Sequence, residues 1–501
     1  MDFTVLIFLS SGLFLGWSLG ANDAANVFGT AVGSRMIRFT TAAAICSVFL
    51  ILGAVISGAG AAHGLGKLGS LNALPGAFMA AFSAALTVYW MTKASLPVST
   101  TQAVVGAIIG WNWFSGSITD MSALFKILGT WVACPILGAV FGALLYKMTV
   151  KAIGWANLHL LRLDLYTRLG LIVAGAFGSY SLGANNIGNV MGVFVSSSPF
   201  TDFSIGNLAT ISSVQQLFLV GAIAIGVGVF TYSKRVMMMV GEGLMPLSPV
   251  AAWVVVIAQS IVLFLFSSIT LEHFLASKGL PTIPLIPVSS SQAVVGAVIG
   301  IGLLKGGKGI RWKSLGSIAS GWVTTPIIAA ILCFIALFFL QNVFNQEVYK
   351  EVRYVLEEAV ITHLEKEGVA MEKFSSLQDR EVIGGVRFRD LLREQMMLDG
   401  ETEDRIITAA ELFPLHVSEV ALQNLDRDYL TAGQAAAVKR LTGRQFQHRW
   451  QLSDALSDQS TEWKRKEDNK LNKPFNQHLK EQLAYLYGLF EASGTQVSSG
   501  D

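Results

Sequence analysis

Ser18-Leu19-Gly20-Ala21-Asn22-Asp23-Ala24-Ala25-Asn26 sets a carboxylate and two amides into an otherwise apolar run, and it returns as Ser181-Leu182-Gly183-Ala184-Asn185-Asn186-Ile187-Gly188-Asn189. An acid at the centre of a bilayer costs about 2.5 to 3.5 kcal/mol or more, so its presence marks a functional site. Gly20 and Asn22 read as a helix interruption, and irregular backbone at membrane depth survives only where it is buried in protein or lines a cavity. The spacing therefore predicts a polar break at both copies. Unwound carbonyls beside Asp23 would be ligands for a hard cation, Na⁺ or H⁺.

Mean hydropathy is +0.53 and 14% of residues are charged, yet the charges are unevenly placed. Residues 1–344 hold 16 Lys/Arg and seven acids, whereas 345–501 hold 20 Lys/Arg and 27 acids. This predicts an all-α polytopic membrane protein with a polar, mostly helical soluble domain at the C-terminal end. The net charge of +2 gives no reason to expect nucleic acid as a partner. Cys46, Cys134 and Cys333 stand singly in apolar runs, without the paired spacing of a metal or redox site, and read as buried small hydrophobes.

Bilayer-length apolar stretches lie near 3–19, 40–62, 74–92 and 123–148, and again near 166–183, 207–230, 247–270 and 316–341. Shorter ones at 24–33, 98–114, 187–195 and 288–304 follow the polar motifs, and each reads as a half-helix or a tilted span. The two sets are copies. Pro97-Val98-Ser99-Thr100-Thr101-Gln102-Ala103 matches Pro287-Val288-Ser289-Ser290-Ser291-Gln292-Ala293, and Trp131 with Pro135 matches Trp322 with Pro326. We expect membrane repeats at 1–150 and 151–344, a tail domain at 345–501, and the second copy's extra residues in loops at 231–246 and 271–286. Lys and Arg cluster at 35–38, 147–168, 234–235 and 305–313, which implies an odd number of crossings per copy and hence inverted repeats; 74–114 and 247–304 are re-entrant hairpins or complete pairs of crossings, since either returns the chain to the side it left. The same count puts both termini outside. In the tail, apolar residues at helical spacing predict helices over 346–367, 405–445 and 475–492, with 458–474 as a solvated helix or linker.

Pro97 and Pro287 stand where a helix begins, so Ser99-Thr100-Thr101 and Ser289-Ser290-Ser291 place hydroxyls and free N–H groups at a helix N-terminus. Such an end binds anions. Two of them, brought together by the duplication, would grip a tetrahedral oxyanion with neutral donors. The plainer readings are ordinary Ser/Thr caps here, and helix-packing roles for Gly20, Gly29, Gly183 and Gly192. Packing alone does not require the same polar string twice.

These residues resemble the PiT (Pho-4) family of inorganic phosphate transporters, over about 1–344 and including Lys234-Arg235-Val236 and Gly241-Glu242 ahead of Pro249. The tail lies outside the resemblance. The family implies an inverted-repeat symporter that moves phosphate with Na⁺ or H⁺ across the plasma (bacterial inner) membrane. It implies substrate contacts from Asn22, Asn185, Ser99, Thr100, Thr101, Gln102, Ser289, Ser290, Ser291 and Gln292, and cation contacts from Asp23, Asn26, Asn186 and Asn189. It implies no cofactor beyond the coupling cation. The partners expected are phosphate or sulfate and the lipid bilayer, and a homo-oligomer is compatible with the sequence. Two departures stand out: Asn186 where the family has a second Asp, and Gln102 and Gln292 where it has His. Sulfate, which needs only donors, is the alternative substrate. A transceptor signalling through the tail is a second alternative, and an intramembrane enzyme is disfavoured because neither hydroxyl triplet has a neighbouring base.

Overall fold

The computed structural model describes residues 3–491 apart from 67, 70, 94–97, 158, 199, 201, 202, 206–208, 244–246, 279, 308, 397, 424, 426–429 and 468–471. Pro97 thus lies outside the described residues. Contacts divide the chain into one unit of 1–272 with 283–350, and a second of 273–282 with 351–501.

In hydrocarbon the backbone must satisfy its own hydrogen bonds, and the apolar runs of the first unit do so as helices. Its first half holds α1 (Phe3–Gly33), α2 (Phe39–Ser57), α3 (Ala59–Gly66), α4 (Leu74–Lys93), α5 (Thr100–Ser115) and α6 (Met121–Ala156). Its second half holds α7 (Leu160–Met191), α8 (Ser213–Thr231), α9 (Ser233–Gly243), α10 (Pro249–Ser267), the first residues of α11 (Ile269–Ser277, which passes into the second unit at His273), α12 (Ser290–Leu304) and α13 (Trp312–Asn342). Among the described residues seven of these, α1, α2, α4, α6, α8, α10 and α13, are long and apolar enough to cross a membrane. The expected span at 166–183 lies within α7, whose opening turns carry Arg162, Asp164 and Arg168. The span expected from 207 begins only at Ser213, after an antiparallel hairpin of β1 (Phe203–Ile205) and β2 (Ala209–Ile211). A capping box fixes that start: Ser212 accepts from the Gln215 amide and Gln215 accepts from the Ser212 amide.

The expected breaks are not breaks. α1 and α7 run unbroken through 18–26 and 181–189, so 24–33 is no half-helix and no carbonyl there is unwound; 187–195 continues α7 to Met191 and then tightens into a 3₁₀ turn, Gly192–Ser197. The glycines serve approach between helices instead. A Cβ on Gly20 would stand 2.0 Å from the Ile225 carbonyl oxygen, and one on Gly183 would stand 2.0 Å from that of Leu50. The reciprocal positions repeat the pattern: a Cβ on Gly228 would stand 2.1 Å from the Trp17 carbonyl oxygen, and one on Gly53 would stand 2.0 Å from that of Tyr180. α1 therefore crosses α8, and α7 crosses α2, in matching geometry. α5 and α12 do the same further on, where a Cβ on Gly106 would stand 2.1 Å from the Pro326 carbonyl oxygen and one on Gly296 would stand 2.1 Å from that of Pro135. Each of these helices packs most closely on one from the opposite half.

These pairs also locate the insertions. Gly53 and Gly228 are 175 positions apart, whereas Asn26 and Asn189 are 163 apart, so the first insertion lies between Asn189 and α8, at the 3₁₀ turn and hairpin. It does not lie at 231–246, where α9 is helical. The second, at 271–286, holds the end of α11 and an extended segment.

α5 and α12, at 16 and 15 residues, are about 22–24 Å long, short of the ~30 Å hydrocarbon layer. Their last turns are exposed at Trp113 and at Leu303. After α13 the chain stays with the first unit as far as Lys350. Trp111 Nε1 donates to the Val348 carbonyl at 3.1 Å, and the Asn72 amide pairs with the Lys350 backbone in both directions at 2.8 and 2.9 Å.

The second unit is mostly helical, with two short antiparallel strand pairs. Its helices are α14 (Glu358–Lys366), α15 (Gly385–Gln395), α16 (Gly400–Ala410), α17 (Glu419–Gln423), α18 (Ala432–Arg440), α19 (Arg449–Gln459) and α20 (Lys473–Phe490). β3 (Arg353–Tyr354) pairs with β4 (Val382–Ile383), and β5 (Leu415–His416) with β6 (Gln445–Phe446). The helix expected from 346 begins only at Glu358, because Tyr354 is drawn into the strand pair and stacks on Phe388 at 5.1 Å. The segment 458–474 is not a free linker: Trp463 is 1% exposed and donates to the Gln434 carbonyl at 3.3 Å. Buried Glu403 takes two hydrogen bonds from Arg393, at 2.8 and 3.1 Å.

Two tests follow from this packing. Gly20→Ala and Gly183→Ala must push apart crossing backbones, and each should cost about 1–3 kcal/mol, read as a lower unfolding temperature of purified protein in detergent. Unchanged unfolding would show that the crossings are looser than described. In the second unit, burial pushes His448 below its ordinary value of 6.5, against the Glu411 carbonyl and Glu357, which raise it, and with His363, which lowers it further. The folded form thus prefers the neutral ring. Its contribution is complete above that ordinary value and is lost as pH falls below it. Acidifying the full chain from pH 7.5 to 5 should lower the unfolding midpoint of this unit, and His448→Gln should flatten that dependence.

Candidate functional site

The site grows from one buried carboxylate. Asp23 lies on α1 at 3% exposure, and such a charge needs compensating donors. Three reach it. Asn22 Nδ2 donates to Oδ1 at 2.8 Å, while Ser290 Oγ from the first turn of α12 and Asn186 Nδ2 from α7 donate to Oδ2 at 3.0 and 3.2 Å. A carboxylate offers about four acceptor positions, so one remains.

The other motif residues close the ring. Asn26 Nδ2 donates to Ser290 Oγ at 3.0 Å, and on the opposite side Asn189 Nδ2 donates to Thr101 Oγ1 at 2.9 Å and to Asn186 Oδ1 at 3.0 Å. Asn185 Nδ2 donates to Asn186 Oδ1 at 3.1 Å, as Asn22 does to Asp23. The amides also hold the chain entering each half-helix. Asn185 takes the Val288 N–H at 2.9 Å and donates to the Val288 carbonyl at 2.7 Å, and Asn22 donates to the Val98 carbonyl at 3.3 Å. Ser291 Oγ then reaches the Val98 carbonyl at 3.4 Å, and Thr101 Oγ1 the Val288 carbonyl at 3.5 Å. Each triplet therefore rests on the entry strand of the other half-helix.

Ser99 and Ser289 are N-caps, accepting from the amides of Gln102 and Gln292, both at 3.3 Å. For these two the plainer reading of the motif holds. The backbone N–H groups at 100, 101, 290 and 291 precede the first intrahelical hydrogen bonds. Both helix starts are thus anion-favouring ends within one buried cluster.

All the residues expected from the sequence, Asn22, Asp23, Asn26, Ser99, Thr100, Thr101, Gln102, Asn185, Asn186, Asn189, Ser289, Ser290, Ser291 and Gln292, are buried. Hydrogen bonds connect most of them. Among the described residues Thr100 Oγ1, Gln102 Oε1, Gln292 Oε1 and Asn189 Oδ1 have no partner. These are buried oxygens, the kind of atom a cation or a donor-bearing ligand would satisfy. No group of three or more His, Cys, Asp or Glu among the described residues could hold a metal, so any cation here relies on Asp23 and neutral oxygens.

Sequence reasoning missed Gln259 on α10, which donates to the Asn26 carbonyl at 2.9 Å. Its signal was available: a glutamine inside an apolar span of mean hydropathy 2.4. It also left Cys134 as a small hydrophobe; the residue is buried, and its Sγ lies 3.3 Å from the Ser289 carbonyl.

The description of the phosphate transporter family, PHO4, matches residues 19–273 and 278–487. The chain belongs to the phosphate transporter family. The match continues into the tail, which we expected to lie outside it. Similar relatives include a Methanocaldococcus jannaschii protein assigned as a phosphate permease, 27% identical over 67% of this chain and 97% of its own length. The chloroplastic inorganic phosphate transporter 2-1 of Arabidopsis thaliana is 24% identical over 67% of this chain and 71% of its own length. A solved structure titled as the sodium-dependent phosphate transporter aligns with a TM-score of 0.54 at 22% identity, covering 68% of this chain and 99% of that one, and shows the same fold.

Within this family member, the Asn185 clamp should matter to the fold as well as the site. Asn185→Ala leaves the Val288 N–H and carbonyl buried without side-chain partners, at about 1–3 kcal/mol per group. Thermal unfolding in detergent should show a loss larger than that of Ser99→Ala, which removes a single cap bond. Equal losses would show that Val288 finds other partners.

Proposed function

We propose that the protein is a secondary transporter that moves inorganic phosphate together with Na⁺, in the plasma (bacterial inner) membrane. The observation that carries this reading is the hydrogen bond from Ser290 Oγ to Asp23 Oδ2, which joins the start of half-helix α12 directly to the buried carboxylate. A cation on Asp23 and an anion at the half-helix starts would then feel each other at close range in a low-dielectric site, where the attraction is strong. Each ion lowers the cost of burying the other, and this linkage couples the two fluxes.

Na⁺ is favoured over H⁺ because a proton needs only the carboxylate. Here, unpartnered neutral oxygens on Asn189, Gln102 and Gln292 share the cluster, and neutral oxygen with one carboxylate suits a hard cation. The name of the solved relative, a sodium-dependent phosphate transporter, agrees. Phosphate is favoured over sulfate by the family and by the acceptors present, since phosphate brings protons to donate and sulfate brings none. The duplicated half-helices also support an inverted arrangement of the two halves, with the site at their junction.

Uptake of radiolabelled phosphate into proteoliposomes decides the matter. An inward Na⁺ gradient should drive accumulation, and unlabelled phosphate should compete better than sulfate. Accumulation driven only by a proton gradient would replace Na⁺ with H⁺ in this reading, and uptake of sulfate in place of phosphate would end it. Asp23→Asn should reduce Na⁺-driven uptake about a hundredfold or more, the rate equivalent of one charge-assisted contact of about 3 kcal/mol.

A further inference from the structure

The duplication pairs Asp23 with Asn186 and Ser290 with Thr100, yet the two pairs do not behave alike. Ser290 Oγ donates to Asp23 Oδ2 at 3.0 Å. In the other half, Thr100 Oγ1 has no partner among the described residues, although the residue is 2% exposed. The cause is chemical. An aspartate presents two acceptor oxygens, whereas an asparagine presents one oxygen and one donor. Asn186 spends its oxygen on Asn185 and Asn189 and turns its Nδ2 to Asp23, at 3.2 Å. Nothing on Asn186 is left to accept from Thr100.

A carboxylate at 186 could not take this position without a proton or cation between it and Asp23, since two anions so close do not both stay charged. The Asn186 amide does that bridging without a bound ion. We propose that the two equivalent hydroxyls have divided their work: Ser290 serves the cation held at Asp23, Thr100 donates to the phosphate oxygen, and Asn186 is the residue that separates them. Thr100 is the hydroxyl with a free donor at a helix start, whereas Ser290 has its proton committed to the carboxylate. One cation position in the central cluster then remains charged.

The inference rests on the phosphate and Na⁺ reading above, and its test is separable from that one. In proteoliposomes, the Na⁺ concentration for half-maximal uptake is measured at saturating phosphate, and KM for phosphate at saturating Na⁺. Thr100→Ala should raise KM for phosphate about tenfold and leave the Na⁺ value within about twofold, and Thr100→Ser should restore KM. Ser290→Ala should do the reverse. Equal effects of the two variants on the same constant, with wild-type Na⁺-driven phosphate uptake intact, overturn the division while leaving the transport reading standing. Wild-type protein that fails to take up phosphate overturns both. For any variant that cannot be reconstituted, equilibrium binding of radiolabelled phosphate to protein in detergent, with and without Na⁺, gives the same discrimination. Asn186→Asp should supply an acceptor for Thr100 and raise the Hill coefficient for Na⁺. A coefficient that stays at its wild-type value removes Asn186 from the explanation.

Discussion

A carboxylate almost fully removed from water is tolerable only if hydrogen-bond donors surround it, and Asp23 imposes that condition on the whole membrane unit. Its donors come from α1 itself, from α7 in the opposite half and from the start of α12. For those helices to converge, their neighbours must pass closer than a side chain allows. Gly20 against Ile225 and Gly183 against Leu50 provide that approach, and in each case a single methyl would overlap a carbonyl. The motif's asparagines and glycines thus have separate duties within one string. The amides satisfy the charge, and the glycines let the satisfying helices reach it.

The same economy explains why the cluster contains no lysine or arginine. Lys93, the basic residue nearest the first hydroxyl triplet in sequence, sits over the Tyr89 ring at 5.9 Å instead of joining the cluster. A guanidinium on Asp23 would hold it in a permanent bidentate pair. Neutral amide and hydroxyl donors stabilise the carboxylate less and leave part of its accepting capacity unfilled. Helix starts act likewise on an anion, through partial charges and backbone N–H groups that are present before the ligand arrives.

Much of this was legible in the residues. The duplication, the short helices after the hydroxyl triplets and the identity of the buried polar residues all follow from apolar length and repeated strings. The continuity of α1 and α7 was not legible, because Gly and Asn are helix breakers by local propensity and nothing local shows that another helix waits at Gly20 or Gly183. The first insertion was misplaced for a related reason: the offset between matching glycines is visible only once Gly53 and Gly228 are seen to make equivalent contacts. In the tail, Val348, Val352 and Val355 have helical spacing, yet Val348 stays with the membrane unit and Tyr354 joins a strand pair, so partners distant in sequence override a weak period.

The two halves are copies that have ceased to be equivalent, and several of the differences touch the half-helices. α5 has its C-terminal end tied down, with Trp111 bonded to the Val348 carbonyl and the neighbouring Asn72 bonded to Lys350. α12 has Ile301 and Gly302 at the matching positions, which bring no side-chain donor, and it follows the longer insertion that includes α11. The half-helix that is fixed carries the unpartnered Thr100 hydroxyl, and the half-helix with the longer approach carries Ser290, which is bonded to the charge. A perfectly symmetric pair would hold an anion midway, with no distinction between its two sides. One carboxylate, one bridging amide and one tethered helix give the pair a direction, and each arises from a residue that the other copy lacks.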